Sequence, residues 1–480
     1  YTVAVIGDGA FTGGMVQEAL NNCENTKGLR LIIIINENEM SISRNIGSFA
    51  KSISKIRMRA SYFRTKAATR HFLSRLPLIG KPMVSFITKV KKGLKDLLYG
   101  SNYFENLGLY YLGPIDGNDR NAVETMLREA KKFDESVVLH VKTKKGKGYE
   151  PAEKNPGVYH SVAPRGAVPG GGFSKVFGNA IVREATADGK ICAITAAMSS
   201  GTGLDTFRKL FPERFFDVGI AEEHAVTFAT ALARSGAKPV FGVYGTFLQR
   251  AYDELWHDLC LNDAPATILV FGASIFGTTS ETHLSFFDIS MLGALPNMHY
   301  LAPTCMEEYL SMLSWSLDHR EHPVAIRVPG IGLVSRPDLA PAEDTDYSAV
   351  RYNVVRQGRD VAVLALGDFF ELGERVANRL AAEYGIEATL VNPRFATELD
   401  REFLDSLAAE HRVVVTLEDG ILDGGWGERV ACYLACTPVR TRTFGIAKGF
   451  PDRYDPNELL AQNGMTVENM AAEAVRLLNE

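Results

Sequence analysis

The chain has 480 residues, of which 46% are hydrophobic and 23% are charged, and its formal net charge is −5. Its mean hydropathy is −0.04. These values are typical of a globular protein and disfavour disordered, collagenous and coiled-coil chains. The acidic balance disfavours nucleic acid as a partner. Apolar runs such as Leu31–Ile35 are far shorter than the roughly 18 residues that a membrane span needs, so we expect no membrane partner either.

Cysteine usage predicts the compartment. The six cysteines include no CxxC pair and follow no secretory signal, so we expect a reducing, cytoplasmic location without disulfides or structural zinc. Cys432 and Cys436 lie one helical turn apart among Ala, Leu and Tyr, and this setting predicts that both belong to the core. Tyr1 lies inside an apparent strand, so we expect the sequence to be the remainder of a longer chain.

In the first region, strand-like and helix-like segments alternate, as they do in open parallel α/β sheets. Strands are predicted at Val3–Ile6, Leu29–Ile35 and Val137–Val141, and helices at Gly14–Asn22 and Asn121–Phe133. We assign residues 1–150 to this first domain.

Two stretches interrupt the alternation. Residues 44–95 contain 14 Lys or Arg and no Asp or Glu. This pattern fits a mobile surface insertion, a lid over a phosphorylated ligand or a membrane-surface helix. From Lys142 to Gly172, Gly, Pro and Lys dominate and periodicity is lost, which is typical of a linker. We place the linker itself at 151–172.

Two further units repeat the pattern, and we assign them to residues 173–335 and 336–480. Strands of the second unit are predicted near Ile191–Thr195, Pro239–Val243, Thr267–Phe271 and Val324–Val328. Strands of the third are predicted at Val361–Leu366, Ala388–Val391 and Val413–Leu417, with helices from Glu371 and Trp426. The predicted fold class is therefore α/β, with three domains that each contain an open, mainly parallel sheet flanked by helices.

The strongest local signal is the sequence GDGAFTGG at 7–14, which directly follows a predicted strand and opens a predicted helix. Glycines there let backbone amides approach a phosphate, and a helix N-terminus favours negative charge. Asp8 would repel a diphosphate unless a cation lay between them. Mg²⁺ suits this position because it binds few protein oxygens together with substrate phosphates. Asn36 and Asn38, just past the next predicted strand, can supply a second oxygen ligand.

Asp8 and Asn38 lie 30 residues apart, which corresponds to about one βαβ step. GDG followed by Asn at this spacing is typical of thiamine-diphosphate enzymes, and the alternative is a chance glycine turn. Such enzymes also need a glutamate from another domain beside the aminopyrimidine ring. Glu222 lies between a predicted strand and a predicted helix and fits this role. Its alternative is an exposed acid that the helix dipole stabilises.

Motifs along the whole chain resemble those of the 1-deoxy-D-xylulose-5-phosphate synthase family, which is transketolase-like. They are GDGAFTGGM, NENEMSIS, LGPIDGND, TKKGKGYEPAEKNP, VYHSVAP, FPERFFDVGIAEEHAVTFA, YGTFLQRAYDELWHD, FFDISML and LAP. The resemblance implies a three-domain transketolase-like architecture with thiamine diphosphate and Mg²⁺ as cofactors. The first domain would bind the diphosphate, the second the pyrimidine, and the third would support a homodimer. Residues 44–95 resemble the family's mobile cover.

The resemblance also implies roles for individual residues. Gly7, Asp8, Gly9, Ala10, Asn38, Met40 and Glu222 would bind the cofactor. Among these, Asp8, Asn38 and the Met40 carbonyl would bind the metal. The catalytic residues would be Glu222, His160, His283, Tyr244 and Arg250. The alternatives are that His160 is only a solvated linker residue and that Arg250 is an ordinary helix-surface charge.

The implied reaction condenses pyruvate with glyceraldehyde 3-phosphate, releases CO2 and forms 1-deoxy-D-xylulose 5-phosphate, a precursor of isoprenoids. An alternative is a paralogue that joins a decarboxylated 2-oxo acid to a different, unphosphorylated acceptor. A second alternative is a non-catalytic homologue.

Three positions depart from the family pattern. Gly272 and Gly330 replace arginines that bind the acceptor phosphate in the family, and Thr279 replaces an aspartate. Charge-assisted contacts of this kind contribute roughly 1.5–3 kcal/mol each. Their joint loss predicts weaker binding of a phosphorylated acceptor, unless the basic segment compensates.

Overall fold

The computed structural model describes residues 1–26, 28–38, 103–157, 159–160, 172–330 and 332–480. Met40 and the predicted cover at 44–95 lie outside these ranges. The chain divides into two compact units, which we describe separately. The first is Tyr1–Arg165 with Gly219–Ala221, and the second is Gly166–Val218 with Glu222–Glu480.

The first unit contains a parallel sheet with the strand order β1-β2-β4-β3. These strands are β1 (Thr2–Gly7), β2 (Leu31–Glu37), β3 (Tyr110–Asp116) and β4 (Val137–Lys142). Its helices are Gly14–Asn25, Tyr103–Asn106, Arg120–Ala130 and Glu150–Lys154. The three predicted strands are present. The sequence-based prediction missed β3, whose hydrophobic run is interrupted by Gly113 and Pro114.

The second unit contains two sheets, and the first of them has six parallel strands in the order β6-β5-β7-β8-β10-β9. They are β5 (Ile191–Thr195), β6 (Phe215–Asp217), β7 (Lys238–Tyr244), β8 (Thr267–Ala273), β9 (His299–Leu301) and β10 (Val324–Pro329). Helices in this part include Gly172–Ala187, Asp205–Leu210, Glu222–Arg234, Gly245–Leu248, Tyr252–Glu254, Asp288–Leu292 and Met306–Asp318, with a π-helix at Leu255–Cys260.

The other sheet of the second unit has the order β11-β13-β12-β14-β15, with β11 antiparallel at one edge. It consists of β11 (Asn353–Arg356), β12 (Asp360–Ala365), β13 (Thr389–Asn392), β14 (His411–Ile421) and β15 (Arg440–Ile446). Its helices are Phe370–Tyr384, Arg401–Glu410, Trp426–Leu434, Pro456–Gln462 and Val467–Asn479. The predicted fold class, mainly parallel sheets flanked by helices, is confirmed.

The structure corrects the prediction for one pair of cysteines. Cys432 and Cys436 are exposed, so their predicted core location is wrong. Cys432 lies on the solvent side of the helix Trp426–Leu434, whose buried side is formed by Trp426, Val430 and Leu434. Within the described ranges, no helix is both long and apolar enough to cross a membrane.

A buried ion network joins the two sheets of the second unit. Arg327, on β10, is 1% exposed and donates to both carboxylate oxygens of Asp288, at 2.6 and 3.1 Å. Its Nη1 donates to Asp419 on β14, and Tyr300 also donates to Asp288. Burying a guanidinium is costly unless its charge is matched within hydrogen-bonding distance. The two carboxylates therefore fix where the sheets meet.

Asp288→Ala should destabilise the second unit strongly, because it leaves the Arg327 guanidinium buried with one carboxylate fewer. We expect a loss of about 3–5 kcal/mol in the free energy of unfolding, measured by denaturant titration. The matched control is Glu402→Ala, which removes a carboxylate that is 82% exposed from its ion pair with Arg351. In this control, the loss in the free energy of unfolding should stay below about 1 kcal/mol. Equal losses in the two variants would contradict the assigned importance of the network.

Candidate active site

The first group of predicted residues lies where β1 and β2 end. Asp8 is 6% exposed, and its two carboxylate oxygens accept hydrogen bonds from the amides of Gly9 and Asn38, each at 3.0 Å. The Asp8 amide in turn donates to the Asn36 carbonyl at 3.1 Å. The structure thus brings Asp8 and Asn38 together. Gly7 ends β1, Gly9 is buried and Ala10 is exposed, whereas Met40 lies outside the described residues.

A buried chain of hydrogen bonds, which sequence reasoning missed, supports this turn. Glu37, between the two asparagines, lies 2.6 Å from His140 Nε2, and His140 Nδ1 lies 2.6 Å from the Tyr111 hydroxyl. The His140 side chain is fully buried, and burial lowers its pKa although Glu37 opposes this shift. The only sequence signal was a histidine inside the apolar run VVLHV. The Lys142 ammonium lies 3.2 Å from the same Glu37 oxygen that contacts His140, so these two partners hold one carboxylate oxygen of Glu37 in position.

His160, predicted to be catalytic, lies on the surface of the first unit. Its Nδ1 is 2.8 Å from the Lys145 ammonium. Burial and the charge of Lys145 lower the pKa of His160. Burial also lowers the pKa of Lys145, and the negative charge of Asp8 opposes that shift. Lys145 lies in the motif TKKGKG, but the motif alone does not indicate that this lysine contacts His160.

Glu222 begins the helix Glu222–Arg234 and is 3% exposed. Arg250 Nη1 lies 3.1 Å from its carboxylate, and Arg250 Nε lies 3.3 Å from Glu223. Burial raises the pKa of Glu222, while a backbone hydrogen bond and Arg250 act in the opposite direction. Glu222 is therefore not a merely exposed helix-terminal acid, and Arg250 is not an ordinary surface charge.

Tyr244 and His283 are linked through Phe247. Tyr244 ends β7, and its ring stacks on Phe247 with a centroid distance of 5.9 Å. The His283 ring meets Phe247 edge-on at 5.5 Å. Burial raises the pKa of Tyr244. The Thr282 hydroxyl is 2.8 Å from His283 Nδ1. The stretch 244–250 thus joins the Tyr244–His283 group to Arg250 and Glu222.

The three positions predicted to depart from the family pattern are Gly272, Thr279 and Gly330. Gly272 has a left-handed φ of +70°, although a Cβ there would meet nothing within 4 Å. A Cβ at Gly330 would lie 2.3 Å from the Cα of Gly277, so the two backbones are in direct contact. The Thr279 carbonyl accepts a hydrogen bond from the Arg453 amide at 2.8 Å. The loop after β8 therefore occupies the space that a side chain at residue 330 would need.

The donor set suits a hard divalent cation. Asp8 offers carboxylate oxygen and Asn38 an amide oxygen at neighbouring strand ends, and Mg²⁺ prefers such ligands together with phosphate. No cluster of three or more His, Cys, Asp or Glu side chains able to hold a metal occurs within the described part of the chain. Phosphate and backbone oxygens would have to complete such a site.

Comparison with protein families covers most of the chain. Residues 1–143 match the 1-deoxy-D-xylulose-5-phosphate synthase model. Residues 172–332 match the pyrimidine-binding domain of transketolase, and residues 351–470 match its C-terminal domain. A 1-deoxy-D-xylulose-5-phosphate synthase from Desulforudis audaxviator is 42% identical, over 98% of this chain and 75% of its own length. One from Clostridium kluyveri is 42% identical over 94% of this chain and 72% of its own length.

The chain belongs to the 1-deoxy-D-xylulose-5-phosphate synthase family. The predicted family and the predicted class, a thiamine-diphosphate-dependent transferase of the transketolase type, are therefore confirmed. Membership of this family also confirms the predicted reaction, which is the condensation of pyruvate with glyceraldehyde 3-phosphate.

Solved structures agree on the fold. A chain described as "Split gene transketolase, inactive beta4 tetramer" is 28% identical and covers 64% of this chain and 97% of its own, with a TM-score of 0.55. Transketolase from Leishmania mexicana covers the whole of this chain and 76% of its own, with a TM-score of 0.54. At 15% identity, the second likeness shows the fold alone.

Gly330→Ala should lower stability, because the added Cβ would overlap the Gly277 backbone. We expect a loss of about 1–3 kcal/mol in the free energy of unfolding, measured by thermal or denaturant unfolding. The control is Gly189→Ala, where a Cβ would meet nothing within 4 Å. Gly330→Arg meets the same obstacle, so it should not improve the KM for a phosphorylated aldehyde. A stable arginine variant with a lower KM would contradict this account.

Lys145→Gln should raise the pKa of His160, because the neighbouring ammonium disfavours the imidazolium. If neutral His160 accepts a proton during turnover, the acidic limb of the pH–rate profile moves to higher pH. Titration of the His160 ring by NMR measures the pKa directly. Lys154→Gln is the control, because Lys154 pairs with the exposed Glu150. An unchanged titration in the Lys145 variant would show that the contact has no electrostatic effect.

Proposed function

We propose that this chain carries out the family's condensation through the residues predicted from its sequence, with thiamine diphosphate and Mg²⁺ as cofactors. The observation that carries the proposal is the meeting of Asp8 and Asn38 at the ends of β1 and β2. The carboxylate of Asp8 and the side-chain oxygen of Asn38 are ligands of the kind that Mg²⁺ takes together with phosphate oxygens.

Residues at the ends of β1 and β2 would bind the diphosphate and the metal. Asp8, Asn38 and the Met40 carbonyl would hold Mg²⁺, while Gly7, Gly9 and Ala10 would face the diphosphate. The helix Gly14–Asn25 starts without a side-chain cap, so its first amides and its dipole favour an anion there. When bound, thiamine diphosphate supplies the electron sink that decarboxylation of pyruvate requires.

Glu222 would activate the cofactor from the second unit. Burial raises the pKa of Glu222, which favours the protonated acid and lets it donate a hydrogen bond to a pyrimidine nitrogen. Arg250 holds the carboxyl group in place through one oxygen. A buried acid with one positioned partner is the arrangement that proton exchange with a ring nitrogen needs.

The remaining residues would act on the substrates. His160 and His283 would move protons, with His283 serving the hydroxyl formed from the aldehyde. Tyr244, through its contact with Phe247, and Arg250 would line the channel for the acceptor. The low pKa of His160 keeps its ring neutral and able to accept a proton near neutral pH.

The assembly and the domain limits belong to the same proposal. We infer a cytoplasmic homodimer with domains at 1–150, 173–335 and 336–480 and a linker at 151–172. All six cysteines are free thiols, which supports a reducing compartment. Sedimentation of the full chain would test the dimeric state.

A second candidate function differs from the first only in its acceptor substrate. The glycines at 272 and 330 remove two cationic side chains, and the Gly277–Gly330 contact leaves no room to restore one of them. This observation favours a paralogue that takes an unphosphorylated aldehyde. A non-catalytic homologue is the third possibility, and nothing in the geometry of Glu222 or Asp8 favours it.

A product assay on the full chain separates these functions. With Mg²⁺, thiamine diphosphate and pyruvate, we expect CO2 release and a higher kcat/KM for glyceraldehyde 3-phosphate than for glyceraldehyde. Glu222→Ala should reduce turnover by about a hundredfold or more while cofactor and Mg²⁺ still raise the melting temperature. Glu223→Ala is the matched control, because Glu223 also contacts Arg250 and should keep turnover within about threefold.

Each outcome has one meaning. Preference for glyceraldehyde, with CO2 still released, would support the paralogue. No CO2 and no thermal shift would support the non-catalytic homologue. Full turnover in Glu222→Ala would show that another group activates the cofactor.

A further inference from the structure

The segment Ser274–Ser290 carries His283 and belongs by sequence to the second domain. Three of its buried side chains nevertheless pack into the core of the third domain, whereas Ser285 accepts a hydrogen bond from the Thr246 amide of the second domain at 3.2 Å. Ile275 and Phe286 are fully buried and Leu284 is 6% exposed, and all three share one hydrophobic cluster with residues of β12 and β14. We call this stretch the acceptor segment.

On the N-terminal side of His283, hydrogen bonds hold the acceptor segment against the third domain. The third-domain partners are side chains and backbone groups at the ends of its strands and in the loop at 452–454. The bonds join Ser274 Oγ to Asp368 (2.8 Å), Tyr454 Oη to the Ile275 carbonyl (2.8 Å), the Arg453 amide to the Thr279 carbonyl (2.8 Å) and the Glu281 amide to Asp452 (3.2 Å).

On the C-terminal side of His283, the third domain again holds the acceptor segment. The Ile421 amide donates to the Phe286 carbonyl at 3.1 Å, and Ser290 Oγ donates to the Asp423 carbonyl at 2.9 Å. Asp288, on the segment, reaches Asp419 of β14 through the Arg327 guanidinium. His283 therefore stands between two anchored ends.

We propose that the third domain positions His283 for the aldehyde half of the reaction, with Ser274, Asp368 and Tyr454 as positioning residues. This inference rests on the proposed role of His283. The contacts to the third domain fall on both sides of the histidine, while its own ring contacts Thr282 and Phe247 of the second domain. A shift of the segment would therefore move His283.

Ser274 is the most sensitive point of this arrangement. It is 1% exposed and adopts φ of +91°, a left-handed conformation that serine rarely takes. Its hydroxyl donates to Asp368, which is buried against Asp419. A strained, buried backbone position persists only where the surroundings hold it, and here the Ser274 hydroxyl is held by Asp368 of the third domain at 2.8 Å and by the Phe276 amide at 3.4 Å.

Ser274→Ala in the full chain tests the proposal, because it removes the bond to Asp368 and leaves His283 unchanged. We expect the KM for the aldehyde to rise about tenfold, while first-turnover CO2 release from pyruvate stays within about twofold. Ser316→Ala is the matched control. Ser316 is also buried and hydrogen-bonded, to Thr267 at the opposite end of β8. The Ser316→Ala variant should have a lower melting temperature and an unchanged KM for the aldehyde.

Tyr454→Phe supplies a second, independent variant, because it removes only the hydroxyl that bonds to the Ile275 carbonyl. It should raise the aldehyde KM in the same direction as Ser274→Ala. Unchanged aldehyde KM values in both variants, with folding intact, would overturn the proposal. Equal losses in CO2 release and in aldehyde use would overturn it as well. Absence of CO2 release in the unmodified chain would instead refute the proposed function.

Discussion

The arrangement of the second unit depends on one buried cation. The Arg327 guanidinium lies between Asp288 of the second domain and Asp419 of the third, with all three side chains almost fully buried. A charge in such a place is tolerated only when its partners are held within hydrogen-bonding distance. The network therefore fixes the relative position of two sheets and, with it, the stretch of chain that carries His283.

Polar side chains collect at the carboxyl ends of parallel strands throughout this protein. Asp8 and Asn38 follow β1 and β2, Tyr244 ends β7 and Asp419 lies near the end of β14. Parallel sheets leave their apolar strands buried on both faces, so the strand ends are where functional groups can gather. The third domain uses its strand ends in a different way, because they hold a segment of its neighbour.

Glycine has a steric role where the acceptor segment leaves β8. The contact between Gly277 and Gly330 brings two backbones closer than any side chain permits. Packing of this loop therefore excludes a side chain at residue 330, whereas a Cβ at Gly272 would meet nothing within 4 Å.

The sequence by itself determined the fold class, the family and most of the strands, because hydrophobic periodicity and local motifs record which residues face a core. It also predicted Asp8, Asn38 and Glu222 as site residues, because local motifs carry the signal for them. Only the tertiary structure decided the partners of these residues. The contacts of Arg250 with Glu222, of Lys145 with His160 and of the acceptor segment with the third domain join positions distant in sequence. The exposure of Cys432 was likewise decided by helix packing, because a local pattern of small and apolar residues does not say which side of a helix faces the core.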